Sequence, residues 1–259
     1  MTNPSSELLE ERRGGVLWLT ISREARRNAI SPGVLSGLCD AIERVQHERD
    51  VRAVVLTGAG DKAFCAGADL AAGTAFRFDH SEPHAALADL LRLAQRSIVP
   101  LVARVNGACM AGGMGLLAMC DLAVAAPHAV FGLPEVKVGL FPAQVLSVLH
   151  HLLPRRALAQ MCLTGEPISA AQALNWGLVN SVADDLDTGL EALLGRLLDK
   201  SPAAIRRGLY TMKAIEAMSF EESMRFTESQ IALFALTEDA AEGQLAFREK
   251  RAPNWTGRR

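Results

Sequence analysis

The sequence predicts an α/β protein whose C-terminal region is entirely helical. Apolar runs of strand length alternate with helical patterns, which is typical of strands paired in parallel through helical crossovers. From about residue 186 onward, no segment has a strand pattern. The chain has 259 residues, 49% of them hydrophobic, which is enough for one large domain with a substantial core. We therefore expect an α/β part followed by helices that pack on it or on another subunit.

Several predicted elements begin or end at recognisable signals. Ser31 and Pro32 open the first helix as its cap and first-turn proline. Ser169 and Gln172 have the spacing of a capped helix start, and Gly177 ends that helix. The predicted strands cover residues 16–21, 51–56, 99–105, 122–126 and a short piece at 131–133. The predicted helices cover residues 32–48, 87–97, 116–120, 142–153, 155–163, 169–177, 190–200, 203–218, 221–237 and 238–251.

Composition and charge argue against several classes of protein. The formal net charge is -2, which disfavours a general nucleic-acid binder or membrane-surface binder. No apolar stretch is long enough to cross a bilayer, and the N-terminus lacks the apolar segment of a signal peptide. The five cysteines are scattered and form no CxxC pair, which favours a reducing compartment. We expect a cytoplasmic protein.

Motifs for a resident cofactor or a metal are weak in this sequence. Residues 113–118 fit a loose dinucleotide pattern, but their glycines begin several residues after the predicted strand ends. His80 and His84 are suitably spaced on a helix, yet no third ligand accompanies them. The sequence has neither a G-x-S-x-G nucleophile elbow nor a P-loop. We expect no metal and no resident cofactor.

Two loops rich in small residues give the strongest signal of a site. Residues 65–69 (Cys-Ala-Gly-Ala-Asp) and 110–113 (Met-Ala-Gly-Gly) each follow a strand-like segment. Small residues allow close backbone approach, and each loop could present a backbone N–H at the start of a helix. Two such groups converging on one oxygen form an oxyanion hole, which stabilises negative charge on a carbonyl. The alternative is a pair of tight turns whose glycines serve packing alone.

Glu135 is the candidate acid/base, because it lies in the otherwise apolar stretch 129–141. A carboxylate in apolar surroundings has a raised pKa and can exchange protons near neutral pH. The alternative is a surface glutamate on a loop. Asp121, which follows a predicted buried helix, is assigned a structural role as a local cap or ion-pair partner.

Five motifs carry a resemblance to a known family. They are Arg-Asn-Ala-Ile (27–30), Asp-Lys-Ala-Phe-Cys-Ala-Gly-Ala-Asp-Leu (61–70), the glycine-rich run 106–121, Thr-Gly-Glu-Pro-Ile-Ser-Ala (164–170) with Trp-Gly-Leu-Val (176–179), and Phe-Arg-Glu-Lys-Arg (247–251). In this combination the chain resembles the crotonase, or enoyl-CoA hydratase/isomerase, superfamily across most of its length. The resemblance implies a crotonase-like spiral of ββα units with a C-terminal helical trimerisation region.

The same resemblance implies a division of the chain into two parts. It also implies a class of substrate and an oligomeric assembly. Residues 1–195 would form the ββα spiral core with the acyl-CoA site, and residues 196–259 the helical oligomerisation region. The implied substrate is an acyl-CoA thioester, so coenzyme A enters as part of the substrate and not as a cofactor. The implied assembly is a homotrimer or a dimer of trimers.

The resemblance also assigns roles to residues by their position. Ala68 and Gly112 would supply the oxyanion-hole N–H groups that surround the thioester carbonyl. The positions implied to contact coenzyme A are Arg27 and Lys62 at phosphates or ribose, the backbone of Cys65 and Ala66 at the adenine end, and Phe247 and Lys250 from a neighbouring subunit. The predicted acyl pocket is lined by Met110, Met114, Gly115, Leu116, Leu140 and Phe141, and shaped by residues 71–84.

The chain departs from the hydratase pattern at Gly115. Typical hydratases have two glutamates; the second matches Glu135, and the first falls on Gly115, which has no side chain to hold water or move a proton. Adding water uses a positioned water and a proton donor, whereas shifting a double bond needs one base. The chain therefore resembles a single-glutamate member, and we expect an enoyl-CoA isomerase. The alternatives are an enoyl-CoA hydratase despite Gly115, and a non-catalytic CoA-binding scaffold.

Overall fold

The computed structural model describes residues 7–69 and 85–257, and within these ranges the strands form two sheets. Strands and helices are labelled in chain order. The six-stranded sheet has the order β1 (Leu8–Arg13), β2 (Val16–Ile21), β3 (Ala53–Gly58), β5 (Leu101–Val105), β7 (Leu122–Ala125) and β10 (Ser181–Val182). The four-stranded sheet has the order β4 (Ala63–Cys65), β6 (Ala108–Met110), β8 (Val130–Gly132) and β9 (Ile168–Ser169). The β1/β2 and β8/β9 pairs are antiparallel, and the other neighbours are parallel.

From β3 to β8, consecutive strands alternate between the two sheets. In the pairs β3/β4, β5/β6 and β7/β8, the first strand joins the large sheet and the second joins the small sheet. Each pair is followed by a helix. β3 is buried at every position because it lies between parallel neighbours in the middle of the large sheet. This succession is a spiral of ββα units, so the predicted fold class is confirmed.

The helices are bounded largely as their sequence signals predict. Ser31 Oγ accepts the Val34 N–H at 3.1 Å, and Ser169 forms a reciprocal capping box with Gln172. The helices are α1 (Pro32–Val45), α2 (Ala86–Arg96), α3 (Gly112–Ala118), α4 (Ala143–Leu149), α5 (Arg155–Thr164), α6 (Ala170–Asn175), α7 (Leu186–Leu198), α8 (Pro202–Ile215), α9 (Phe220–Ala235) and α10 (Glu238–Glu249). Across the described ranges, no helix is both long and apolar enough to cross a membrane.

Five strands, β1, β4, β6, β9 and β10, are not predicted by the sequence. β1 (Leu-Leu-Glu-Glu-Arg-Arg) carries mostly charged side chains, which suit an edge strand but conceal it from a search for apolar alternation. β4 and β6 have three residues each, too few to show a period of two. β6 occupies part of the glycine-rich run, and α3 begins at Gly112 instead of the predicted residue 116. The run is therefore a strand, a tight turn and a helix start rather than one long loop.

Two apolar cores lie on opposite faces of the large sheet. Along β2, Leu17 and Leu19 face the main core, while Val16 faces a smaller core. Leu190 and Leu194 of α7 cover that smaller core. The predicted division at residues 195/196 falls within α7, so it cuts a helix that packs on the sheet, and the domain assignment stays a prediction.

α8 is attached to the α/β part by the partly buried cation of Lys213. Lys213 Nζ donates to the carbonyls of Ala94 and Ser97 at 3.0 and 3.1 Å, and pairs with the Asp121 carboxylate at 3.0 Å. The same carboxylate accepts the Leu101 N–H at 2.8 Å. Burial raises the pKa of Asp121, and the charge of Lys213 opposes that rise. Asp121 thus has a structural role, joining α8 to the large sheet.

The C-terminal helices α8–α10 leave large apolar side chains in contact with solvent. Phe220, Ile231, Leu236 and Phe247 are 74%, 70%, 76% and 86% exposed, and we call these four the apolar C-terminal surface. Single exposed apolar residues are ordinary, but several on one helical region indicate a surface that a partner could cover.

Candidate active site

The first small-residue loop leaves one backbone donor without an acceptor. β4 ends at Cys65, and Gly67 follows with a φ of +92°, a conformation that favours glycine. The Ile30 N–H donates to the Gly67 carbonyl at 2.8 Å, and the Asp69 N–H donates to the Ile30 carbonyl at 3.1 Å. The Ala68 N–H between them has no hydrogen-bond acceptor among the described residues.

The second small-residue loop ends at the start of α3, where it presents a backbone N–H comparable to that of Ala68. The Ala111 N–H donates to the Gly132 carbonyl at 2.9 Å, which extends the pairing of β6 with β8. The next N–H, that of Gly112, has no acceptor in the described part of the chain. Both residues that the sequence singles out as donors therefore carry an unpaired backbone N–H.

The two loops lie against each other. A Cβ added at Gly112 would be 3.8 Å from the Ala68 nitrogen, and one added at Gly67 would be 3.2 Å from the Gly112 nitrogen. A Cβ added at Gly113 would come within 2.4 Å of the Cys65 carbonyl oxygen, so α3 packs directly on the end of β4. Two unpaired N–H groups held close together are the elements of an oxyanion hole.

Glu135 lies in a 3-10 helix (Pro134–Val138) that directly follows β8. Its Oε2 atom is buried and has no hydrogen-bond partner among the described residues. Burial raises the pKa of Glu135, and the hydrogen bond from its own backbone N–H opposes the rise. The Glu135 charge adds to burial in raising the pKa of the Cys162 thiol, so the carboxylate lies near α5. A half-buried carboxylate with a raised pKa is suited to taking up and returning a proton.

Gly115 lies in an apolar part of the site. It is buried within α3, and a Cβ added there would be 3.4 Å from Val145 Cγ2 and 3.9 Å from Leu91 Cδ2. These neighbours belong to α4 and α2 and carry no proton donor or acceptor in their side chains. At the position where the hydratase pattern has its first glutamate, the three nearest side-chain atoms among the described residues are therefore hydrocarbon.

The predicted acyl-pocket residues are only partly brought together. Met110 packs over Gly132, where an added Cβ would be 2.8 Å from its Cε. Leu140 and Phe141 are exposed at 38% and 50%, and Phe141 borders a cavity of about 480 Å³ between α4 and α5. Met114 and Leu116 are fully buried in the main core, and their place in the acyl pocket stays a prediction. Residues 71–84 lie outside the described residues.

Four of the residues predicted to contact coenzyme A lie in β4 or beside it. The Arg27 carbonyl accepts the Ala66 N–H at 3.1 Å, and the Lys62 carbonyl accepts the Ala108 N–H at 3.1 Å. The Arg27 and Lys62 side chains are exposed, as charged groups that meet a phosphate must be. Cys65 is fully buried, and burial raises its thiol pKa to about 12, which excludes it as a thiolate nucleophile near neutral pH.

The two remaining coenzyme A positions, Phe247 and Lys250, lie at the end of α10. Phe247 is highly exposed, and Lys250 ends the helix with a φ of 53°. Their predicted role, in a neighbouring subunit's site, stays a prediction.

Two asparagines support the site, although their sequence motifs reveal no such role. Asn28 Nδ2 donates to the carbonyls of Ala59 and Ala63 at 2.9 and 2.7 Å. Asn106 Nδ2 donates to the carbonyls of Gly60 and Ala63 at 2.7 and 3.2 Å. Both side chains thus hold the start of β4. For Asn106 the available signal is a polar amide directly after the apolar strand β5, where burial demands hydrogen-bond partners.

No group of three or more His, Cys, Asp or Glu side chains suited to a metal ion occurs among residues 7–69 and 85–257. His80 and His84 fall outside those ranges.

The chain is similar to known proteins over nearly its whole length. A family model described as enoyl-CoA hydratase/isomerase matches residues 11–258. The enoyl-CoA hydratase EchA19 of Mycobacterium tuberculosis is 36% identical over 261 residues, which cover 97% of each chain. A carnitinyl-CoA dehydratase of Salmonella typhi is 34% identical over 98% of this chain and 100% of its own length.

Solved structures match over the same extent. An enoyl-CoA hydratase from Mycobacterium smegmatis has a TM-score of 0.88 at 35% identity, covering 96% of this chain and 98% of that one. An enoyl-CoA hydratase from Bacillus anthracis has a TM-score of 0.90 at 27% identity, covering 97% and 99%. The resemblance seen in the sequence motifs is confirmed, and the chain belongs to the enoyl-CoA hydratase/isomerase family.

Proposed function

We propose that this protein processes acyl-CoA thioesters and shifts the double bond of an enoyl-CoA, with Glu135 as the single acid/base. The observation that carries the proposal is the contrast between two positions. Glu135 has a raised pKa and a buried carboxylate oxygen with no hydrogen-bond partner in the part of the chain that the structure describes. Gly115, where a second glutamate would stand, is bordered by Val145 and Leu91.

The proposed reaction needs one base and one oxyanion hole. The thioester carbonyl accepts hydrogen bonds from the N–H groups of Ala68 and Gly112. Glu135 removes a proton from C2 of a 3-enoyl-CoA, and the electron pair moves into the carbonyl to form a dienolate. Glu135 then returns the proton to C4, which leaves the double bond between C2 and C3. One oxyanion-hole donor contributes about 3–4 kcal/mol to such a step.

Hydration of a 2-enoyl-CoA is the second candidate. Enoyl-CoA hydratases among the relatives favour it. Water addition, however, requires a group that positions and activates the water in addition to a proton donor. Glu135 would have to supply both functions, because the surroundings of Gly115 are apolar.

The remaining contacts and the assembly form part of the same proposal. Arg27 and Lys62 bind the phosphates or ribose of coenzyme A, and the backbone of Cys65 and Ala66 meets the adenine end. The apolar C-terminal surface mediates a homotrimer or a dimer of trimers, in which Phe247 and Lys250 reach a neighbouring site. The protein acts in the cytoplasm on a small-molecule thioester, without nucleic acid, membrane or metal.

To test this proposal, the purified protein is incubated with 3-hexenoyl-CoA and, separately, with 2-hexenoyl-CoA. The rates of isomerisation and hydration are then measured. We expect isomerisation to dominate and Glu135→Gln to reduce it about 10²–10⁴-fold. Glu191→Gln is the matched control, because it makes the same change at an exposed position on α7.

Rapid hydration that survives Glu135→Gln would contradict the single-base mechanism. Tight coenzyme A binding without turnover of either thioester would favour a non-catalytic scaffold.

A further inference from the structure

Ala111, between β6 and Gly112, has a backbone conformation that L-amino acids rarely adopt. Its φ is 51° and its ψ is -122°. Glycine reaches positive φ without steric cost, whereas the Cβ of an alanine is crowded there. Strained residues of this kind persist only where the surrounding structure holds them, and they concentrate at functional sites.

The neighbours of Ala111 hold its backbone from both sides. Its N–H donates to the Gly132 carbonyl at 2.9 Å, and its carbonyl accepts the Met114 N–H at 2.9 Å. A Cβ added at Gly67 would lie 2.7 Å from the Ala111 Cβ, so the methyl group faces the first loop. Ala111 therefore connects β8 with α3 and contacts the loop that carries Ala68.

We propose that Ala111 is a positioning residue that sets the direction of the Gly112 N–H and its separation from the Ala68 N–H; this rests on the proposed function. The ψ angle of Ala111 orients the peptide plane that contains the Gly112 nitrogen. Its methyl group against Gly67 is a spacer between the two loops. Glycine would be less strained at this position, but it has no methyl group to separate the loops. The spacer therefore explains why the residue is an alanine.

Ala111→Gly tests this role, because it removes the spacer and the strain together. We expect kcat to fall about 10- to 100-fold with KM little changed, since oxyanion-hole donors act mainly on the transition state. We expect Tm to equal or exceed that of the wild type, because glycine tolerates this φ.

Ala125→Gly is the matched control, since Ala125 is a buried alanine in β7 with no positive φ. It should lower Tm and leave kcat unchanged. A fall in kcat for Ala111→Gly that came with a Tm loss equal to the control's would overturn the positioning role.

A second readout does not depend on turnover. A cinnamoyl-CoA with a para-amino substituent absorbs at longer wavelength when its carbonyl is polarised, so its shift on binding reports the two N–H groups. We expect a red shift with the wild type and a smaller one with Ala111→Gly. The proposal would be overturned if Ala111→Gly kept both the kcat of the wild type and its full shift in absorption wavelength. If the wild type turned over neither enoyl-CoA, the proposed function would fail, while the spectral comparison would still decide the role of Ala111.

Discussion

The region around α3 and the C-terminal helices α8–α10 are held together by different forces. At α3, backbone meets backbone so closely that Gly113 has no room for a Cβ beside the Cys65 carbonyl. α8 has no fully buried residue, and Gln230 is the fully buried residue of α9. Polar anchors such as Lys213 attach α8, while apolar side chains face outward. The site region is thus constrained by its own backbone, whereas the helical region is attached by polar contacts such as the Lys213–Asp121 ion pair.

Gly113→Ala should have the largest effect on folding. The added Cβ would be 2.4 Å from a backbone oxygen that cannot move without disturbing β4, so we expect a loss of about 3 kcal/mol in the free energy of unfolding. Gly115→Ala in the same helix is the control, with an expected loss below about 1 kcal/mol, because its Cβ would make an ordinary 3.4 Å contact. Urea unfolding measures both, and equal losses would contradict the claim of backbone contact at Gly113.

Lys213→Met should have the next largest effect. It leaves the Asp121 carboxylate buried without its cation, and we expect a loss of about 2 kcal/mol in the free energy of unfolding. Lys200→Met is the control, because Lys200 pairs with Asp199 in an exposed position and should change stability by less than about 0.5 kcal/mol. Thermal and urea unfolding should agree. If the two variants behaved alike, α8 would not be anchored by Lys213.

Glu135→Gln should make the folded chain more stable at neutral pH, although under the proposed function it should reduce activity. Burial raises the pKa of Glu135 in the folded state, so the folded state binds its proton more tightly than the unfolded state does. The wild type therefore loses stability as the pH rises through the interval between its unfolded and folded pKa values. The difference in Tm between variant and wild type should be present at pH 7 and shrink as the pH falls below that interval. A difference independent of pH would contradict burial as the cause.

Ile231→Lys should have the smallest effect on the fold of the chain itself. Ile231 is 70% exposed, so we expect its replacement to change the intrinsic stability of the protomer by less than about 0.5 kcal/mol. It should nevertheless dissociate the proposed trimer, which sedimentation velocity would detect as a shift to the monomer. Leu163→Lys is the control, since Leu163 is comparably exposed but lies on α5. Dissociation by both variants, or by neither, would contradict an assembly through the apolar C-terminal surface.

Local signals in the sequence predict much of the helical structure and the region of the site. Ser31, Ser169 with Gln172, and Thr237 are helix caps in the structure, because a cap is an interaction between residues three apart. The apolar stretch around Glu135 and the two small-residue loops likewise indicate where an acid/base and close backbone contacts would lie. By contrast, β4 and β6 are strands through pairing with each other and with β8, not through any pattern of their own.

The sequence by itself determined most of the helices, the family motifs and the absence of a carboxylate at Gly115, because these depend on residue type and local spacing. The tertiary structure decided that the Ala68 and Gly112 N–H groups are neighbours with no acceptor among the described residues, that Ala111 is strained, and that Lys213 pairs with Asp121. These features join residues far apart in the chain. Their energies come from desolvation, close contact and hydrogen bonding, which exist only once the two sheets and α3 have been brought together.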